Sequence, residues 1–464
     1  MPETFIVAFR GDGEGVEELS WGQRELWGGM VRQRTWMPMG LVLPLAAGTT
    51  AEDVAAELRF ILERFPSMRT RLRLRPDGPP QQVVAAAGEV AVELVDAAED
   101  ADPAAVAAEV SRRLHETVFD FERDWPVRTA VVRHRGALTH QVTVVCHLVN
   151  DGFGGLVLAE EVARWHRAGG LVAPSDAMPP LEDAMPPLED AMSPLEQARW
   201  QRSEAGRRQS ASALRHWEKT LRAIAPRRFP GPVDVRRPRH WQAGLASPAL
   251  HLAAQVIARR TGTDRTTVLL TAFAVALSAE TGIHPVVVRV VVSNRFRGAL
   301  AGSVSPVSQP ALCVLDVAGL PFDEAVALTG RRTLTAYKHA YYDPDDLDAL
   351  VRRVNAERGE EVDIACYFND RRPPAPADGP VPAAAEIRAA LPATAFRWIA
   401  KQDRPNERMF VTIAAEPGTV HLDICGDTGH IPPGALEACA RGIEAVTVAA
   451  ATTPPPGAGS GRTP

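Results

Sequence analysis

The residues most able to do chemistry lie together in Val144-Val145-Cys146-His147-Leu148-Val149-Asn150-Asp151-Gly152. An imidazole accepts a proton near neutral pH. Its value as a base depends on where the ring points and which nitrogen carries the hydrogen. Asp151, four residues on, can orient that ring, or it can pair with an arginine and lock the loop. Gly152 lets the backbone turn sharply. A metal site would need His147 and Asp151 on one helical face with further ligands, and the glycine-rich run Asp151–Gly155 disfavours a helix there. A phosphate cradle at Gly152–Gly155 would need a following Lys-Ser/Thr, which the sequence lacks.

Elements must hold these residues in place. Val142, Val144 and Val145 put apolar side chains on both faces, so Thr139–Cys146 reads as a central, buried strand that delivers His147 at its end. Val127–Arg133 is its hairpin partner across Arg135-Gly136, and a helix with Leu158, Val162 and Trp165 on one stripe follows. Adjacent residues of a strand point to opposite faces. Cys146 should therefore point away from His147, as a packed thiol and not half of a nucleophilic dyad.

Upstream, Ser20 is a candidate N-cap for a helix over Trp21–Trp27. Ala51–Phe65 carries apolar residues at helical offsets, and Met68–Leu74 and Gln81–Val84 flank a hairpin turn. Ala105–Thr117 reads as a helix. Downstream, helices are expected over Leu195–Ala223, Thr266–Thr281 (closed by Gly282), Phe322–His339 and Pro433–Thr447. Strands are expected over Val286–Val292, Ala311–Val317, Asp363–Asn369, Met409–Ala414 and His421–Cys425. Asp176–Glu182 recurs as Asp183–Glu189 and, with Ser193 replacing a proline, as Asp190–Glu196. The prolines exclude a coiled coil and suggest an extended linker.

Composition narrows the function. The 464 residues include 51 Lys and Arg against 57 Asp and Glu, a net charge of −6, which argues against nucleic acid as the main partner. Five scattered cysteines with no CxxC pair argue against both a disulfide framework and a structural zinc site. No apolar run is long enough to span a bilayer and no signal peptide is evident, so a cytoplasmic protein without membrane contact is expected.

The order strand, His-x-x-x-Asp-Gly, helix resembles the signature of condensation domains of nonribosomal peptide synthetases, in the chloramphenicol acetyltransferase-like superfamily. Leu19–Trp27 is similar to that family's opening motif Leu-Ser-x-x-Gln-x-x-x-Trp. Arg64–Arg71 resembles its Arg-His-x-x-Leu-Arg-Thr stretch, Phe119–Arg128 the segment before the active-site hairpin, and Leu269–Arg295 its helix and strand run into an Asn-Arg pair. The resemblance implies an α/β fold: two chloramphenicol acetyltransferase-like lobes, mixed sheets flanked by helices, set as a V with a tunnel between them. The expected division is an N-terminal lobe over 1–170, a repeat linker over 171–194, a C-terminal lobe over 195–450 and a disordered tail over 451–464.

On the same resemblance, His147 is the catalytic residue and the Gly152 N–H approaches the reacting carbonyl. Asp151 is structural and pairs with Arg295. Cys146 stands where the family usually has a first histidine. Ser305–Pro310 departs from the family's Gly-x-x-x-Asn segment, which leaves the shape of the channel open. The implied reaction joins a carrier-protein-bound acyl or aminoacyl thioester, supplied in trans, to an amine or hydroxyl acceptor. The phosphopantetheine arm belongs to the carrier, and this chain, a monomer, binds no cofactor and no metal. Arg69, Arg71, Arg73 and Arg75 alternate, as for one face of a strand; this is either a solvated face or a landing site for an acidic carrier. Two rivals remain: a coenzyme A-dependent O- or N-acyltransferase on the same fold, and a catalytically silent recruitment module.

Overall fold

A computed structural model describes residues 3–169, 191–229, 234–373, 380–403 and 407–453. The first two heptapeptide copies (176–189) and the tail from 454 lie outside these residues. The chain divides into two units, residues 1–209 with 293–308, and residues 210–292 with 309–464.

The first unit holds β1 (Glu3–Arg10), β2 (Gly15–Glu18), α1 (Trp21–Gln33), β3 (Pro38–Pro44), α2 (Ala51–Arg64), β4 (Thr70–Arg73), β5 (Gln81–Val84) and β6 (Ala87–Ala97). Then come α3 (Pro103–Glu116), β7 (Val127–His134), β8 (Ala137–Cys146), α4 (Gly152–Arg167) and α5 (Pro194–Arg202). Five strands form a mixed sheet in the order β1-β6-β7-β8-β3, with β6 and β7 parallel, and β2-β5-β4 form a small antiparallel sheet. Helices cover both faces of the larger sheet. Val54, Leu58 and Leu62 of α2 and Val157 of α4 pack on one side, and Ala107, Val110 and Leu114 of α3 on the other. Burial on two faces is what the valine-rich β8 requires. Arg135 and Gly136, both at positive φ, close the β7–β8 hairpin with a turn whose twist suits paired strands.

Helix α6 (Glu204–Ala223) leads into the second unit, with β9 (His240–Ser247), α7 (Pro248–Thr261), α8 (Arg265–Thr281) and β10 (Val286–Val292). After the short α9 (Gly298–Ala301) of the first unit come β11 (Gln309–Leu315), α10 (Phe322–Tyr337), α11 (Pro344–Arg358), β12 (Cys366–Asp370) and α12 (Ala384–Ala390). The chain closes with β13 (Ala395–Gln402), β14 (Met409–Glu416), β15 (Thr419–Asp427) and α13 (Pro433–Thr452). The seven-stranded mixed sheet runs β11-β10-β12-β14-β15-β9-β13. Leu250 and Ile257 of α7, Phe273 of α8 and Leu436 and Ile443 of α13 cover one face; Trp217 of α6 and Leu347 of α11 pack with Val287 and Leu312 on the other. Helix α8 is apolar nearly all round because it is buried all round, and Gly282 ends it in the left-handed conformation.

Four expectations need correction. The lobe boundary does not fall at 170–195: α5 and the start of α6 cluster with the first unit, as does the distant segment 293–308. The expected helix Leu195–Ala223 is two helices, broken at Ser203, whose extended backbone ends α5 and whose hydroxyl accepts the Gly206 N–H. The third heptapeptide copy is not linker: Ser193 and Glu196 form a reciprocal capping box that starts α5, and Leu195 is buried. A serine supplies both the side-chain oxygen and the backbone N–H that a proline at that position lacks. Finally, α13 continues through Thr452, past the expected start of the tail at 451.

The arginine row is also not one face. Arg69 lies in a short 3-10 turn (Pro66–Arg69), fully buried, donating to the carbonyls of Gly11 (2.9 Å), Asp12 (2.5 Å) and Ala85 (2.5 Å). Arg71 stacks on Trp125 with its guanidinium carbon 3.4 Å from the ring centroid, whereas Arg73 and Arg75 are exposed. No helix among the described residues is long and apolar enough to cross a membrane.

Candidate active site

Strand β8 ends at Cys146, and His147 begins a tight turn that runs into α4. The His147 N–H donates to the Met37 carbonyl at 3.2 Å, and its Nδ1 lies 2.8 Å from the Asn150 carbonyl oxygen. A carbonyl can only accept, so Nδ1 carries the hydrogen and Nε2 keeps its lone pair. The ring is half-buried. This is the tautomer a base at Nε2 needs, and main chain holds it, not Asp151.

Asp151 does something else. It is the N-cap of α4, accepting the Gly154 N–H at 2.7 Å through Oδ1. The same oxygen meets Arg295 Nη1 at 2.9 Å. Oδ2 accepts from the Val307 N–H (3.0 Å), the Ser308 N–H (2.9 Å) and the Ser308 hydroxyl (2.8 Å). Arg295 Nη2 in turn donates to the carbonyls of Ser303 (2.8 Å) and Ser305 (3.0 Å). Both side chains are more than nine-tenths buried. Burial pushes the Asp151 carboxyl up, but the Arg295 charge and the hydrogen bonds from Arg295, Gly154 and Ser308 outweigh it and hold it below the usual carboxylate range. Of the two roles open to the acid in the sequence, the structure selects the lock.

Gly152 is the first residue of α4, exposed, without positive φ, and a side chain there would meet no atom within 4 Å. The sharp turn expected of it is absent, and the glycine-rich run forms the first turn of the helix. The sterically required glycine is Gly154, where a Cβ would sit 2.2 Å from Asn150 Oδ1 and 3.0 Å from Arg295 Nη2. Cys146 is 1 % exposed, its thiol donates to the Trp36 carbonyl at 3.4 Å, and burial pushes its pKa up to about 12. It stays a neutral, packed thiol.

Segment 303–308, which overlaps the divergent stretch Ser305–Pro310, supplies three donors to Asp151 and two acceptors to Arg295. It is fixed in turn by Asn294, which donates through Nδ2 to the Val307 carbonyl at 2.9 Å, and by Gln197, which donates to the Ser305 hydroxyl at 2.8 Å. The opening motif packs against it: a Cβ on Gly22 would lie 1.9 Å from the Pro306 carbonyl oxygen. Gln23 serves the Ser20 capping box and reaches Gln82 at 3.3 Å. Sequence reasoning missed Met37, Asn150, Val307 and Ser308. Three of these act through main-chain groups alone, which residue type does not specify; Ser308 uses its N–H as well, and it alone left a signal, in its hydroxyl.

Comparisons with known proteins bear on the family and the fold. The family model for the condensation domain matches residues 30–369. A probable nonribosomal peptide synthetase, CymA, from Salinispora arenicola (strain CNS-205) is 28% identical over 364 residues, 73% of this chain and 4% of that protein, so this chain spans a small fraction of its relative's length. SgcC5 from Streptomyces globisporus superposes with a TM-score of 0.68 at 19% identity, over 94% of this chain and 98% of that one. The condensation domain of chain release from the enacyloxin polyketide synthase gives 0.70 at 18% identity, over 98% and 86%. The X-domain from teicoplanin biosynthesis gives 0.66 at 17%, over 94% of each chain. At these identities the likeness shows the fold.

Proposed function

This chain belongs to the condensation-domain family, and from that premise we propose that it joins a carrier-protein-bound acyl or aminoacyl thioester to an amine, or a hydroxyl, acceptor. The observation that carries the reading is the tautomer of His147: Nδ1–H is spent on the Asn150 carbonyl, which leaves Nε2 as the acceptor. The acceptor nitrogen attacks the thioester carbonyl as Nε2 takes its proton. The tetrahedral intermediate collapses to the amide, and the phosphopantetheine thiolate leaves and is reprotonated by the imidazolium. Base catalysis of this kind is worth about 10²–10⁴-fold. The Gly152 N–H, at the open N-terminus of the sixteen-residue α4, is the proposed donor to the developing oxyanion. Asp151 and Arg295 hold the loop and take no proton.

The test supplies an acyl group on a carrier protein and, separately, on coenzyme A, with an amine acceptor, and follows product by mass spectrometry. Product from the carrier-bound donor that disappears in His147→Ala supports the proposal. Equal use of the coenzyme A donor favours a carrier-independent acyltransferase, and product formation undiminished in His147→Ala removes the base role.

A further inference from the structure

Four non-glycine residues among those described have positive φ: Arg34, Met37, Arg135 and Asn294. Three have local reasons. Arg34 ends α1 in a left-handed cap, Arg135 sits with Gly136 in a two-residue hairpin turn, and Asn294 is of a type that tolerates this region. Met37, at φ 48°, has none. Its side chain is long and apolar, and Pro38 follows it, which pushes the preceding residue toward extended backbone. Backbone held in an unfavourable region persists only where its surroundings enforce it.

Those surroundings are on both sides of Met37. Trp36 is buried, stacked on Phe119 (4.8 Å between centroids), with its indole N–H donating to the His115 carbonyl at 3.1 Å. The Met37 N–H donates to the Thr35 hydroxyl at 3.1 Å. The Met37 methyl packs where a Cβ on Gly29 would come within 2.9 Å of it, and Pro38 is in register with Cys146 at the start of the β3–β8 ladder. The left-handed turn is what aims the Met37 carbonyl at the His147 N–H. Trp36 and Met37 together therefore grip Cys146 and His147 from one side, through successive carbonyls, while the Asn150 carbonyl grips the His147 ring from the other.

We propose that Met37 is a positioning residue for His147: its left-handed backbone sets the direction of the imidazole at the end of β8. The effect on rate rests on the proposed role of His147; the effect on the His147 main chain does not. A series at one position separates backbone from side chain. Met37→Asn accepts the left-handed region and discards the thioether, whereas Met37→Val keeps apolar bulk and rejects that region.

The measurements are hydrogen exchange of the His147 amide, imidazole ¹⁵N shifts that report the tautomer, and kcat and KM with a carrier-bound donor. Met37→Val is expected to speed His147 amide exchange, to mix the two tautomers and to lower kcat about tenfold or more with KM little changed, because a small misplacement of a reacting group is costly. Met37→Asn is expected to keep exchange, tautomer and kcat within about threefold of the parent, an allowance set on the same positional grounds. If Met37→Val does not fold, Met37→Gly, free at this φ, is expected to fold and to keep exchange and tautomer close to those of the parent, and faster exchange in it would count against the backbone role. Unchanged exchange in Met37→Val, or an asparagine variant as damaged as the valine one, would overturn the proposal. Altered exchange in Met37→Val with no turnover in any form of the protein would keep the backbone role and remove the catalytic reading instead.

Discussion

The segments β7–β8–α4 and β14–β15–α13 share a plan: an antiparallel hairpin, a five-residue loop (147–151 and 428–432) and a long helix. Each loop is locked by a buried aspartate. In the first, Asp151 is the last loop residue and caps the helix. In the second, Asp427 is the last residue of the strand and takes Arg239 Nε (2.5 Å), Arg408 Nη1 (3.0 Å) and the Gly429 N–H (3.0 Å). There burial pushes the carboxyl up, and the arginine and backbone donors more than reverse it. The residue after the strand then differs in fate. Thr428 is fully buried, with its N–H and hydroxyl both spent on the Arg239 carbonyl, and Pro432 gives its helix no side-chain cap. His147 is half-buried, with one nitrogen left over. A lock five residues past the strand end leaves that end available for chemistry, and a lock at the strand end does not.

The contrast can be broken at its largest point first. His147→Ala is expected to lower kcat about 10²–10⁴-fold with thermal unfolding unchanged. Thr428→Ala is expected to cost about 1–2 kcal/mol of stability and to leave kcat within a few-fold. Rates and melting curves on both variants check this, and matching rate losses would erase the distinction. Next, Asp151→Ala should destabilise by about 3–5 kcal/mol, since it leaves the buried Arg295 charge behind, whereas Asp427→Ala should cost less, because Arg239 and Arg408 are about one-third exposed and water screens them; urea unfolding would measure both. Both carboxyls have folded pKa values below their unfolded ones. Their contribution is therefore complete above about pH 4 and is lost as pH falls through the depressed folded values. Asp151→Asn should flatten that acid loss.

Smaller effects sharpen the picture. Gly22→Ala drives a Cβ into the Pro306 carbonyl and should cost about 1–3 kcal/mol or more. Gly434→Ala, in the first turn of α13 with no atom within 4 Å, should change stability by less than about 0.5 kcal/mol. Gly152→Ala has equal room and should likewise stay within about 0.5 kcal/mol. A fall in kcat for Gly152→Ala would then report on the substrate side of the loop, and an unfolded variant would contradict the open space seen around it.

Elements with strong internal patterns were legible. The two-faced valines of β8, the apolar α8 closed by Gly282, and Ser20 as the N-cap of α1 all read correctly from residue types. Strands β3, β6, β9 and β13 did not. β13 lies at a sheet edge with most of its residues exposed, so no alternation marks it. β3 begins with proline and contains Gly40, which the His115 imidazole requires: a Cβ there would sit 2.2 Å from the ring. The arginine row misled because alternate spacing suggests a strand, whereas Arg69 turned out to be tied into a 3-10 turn by three carbonyls. The same limit applied at the site. The residues His147, Asp151 and Arg295 were visible as types, but the partners that fix them are largely backbone groups.

From the sequence alone came the strand that ends at His147, because this depends on side-chain type and local periodicity, and, through the resemblance of its motifs to a known family, the arginine that meets Asp151. Tertiary structure decided the rest: that the ring is held by the carbonyl of Asn150, that the carboxylate is spent on segment 303–308, and that Gly154 and not Gly152 is the crowded glycine. Main-chain donors and acceptors are identical at almost every residue, so which of them converge on a site becomes known only when distant parts of the chain are packed together.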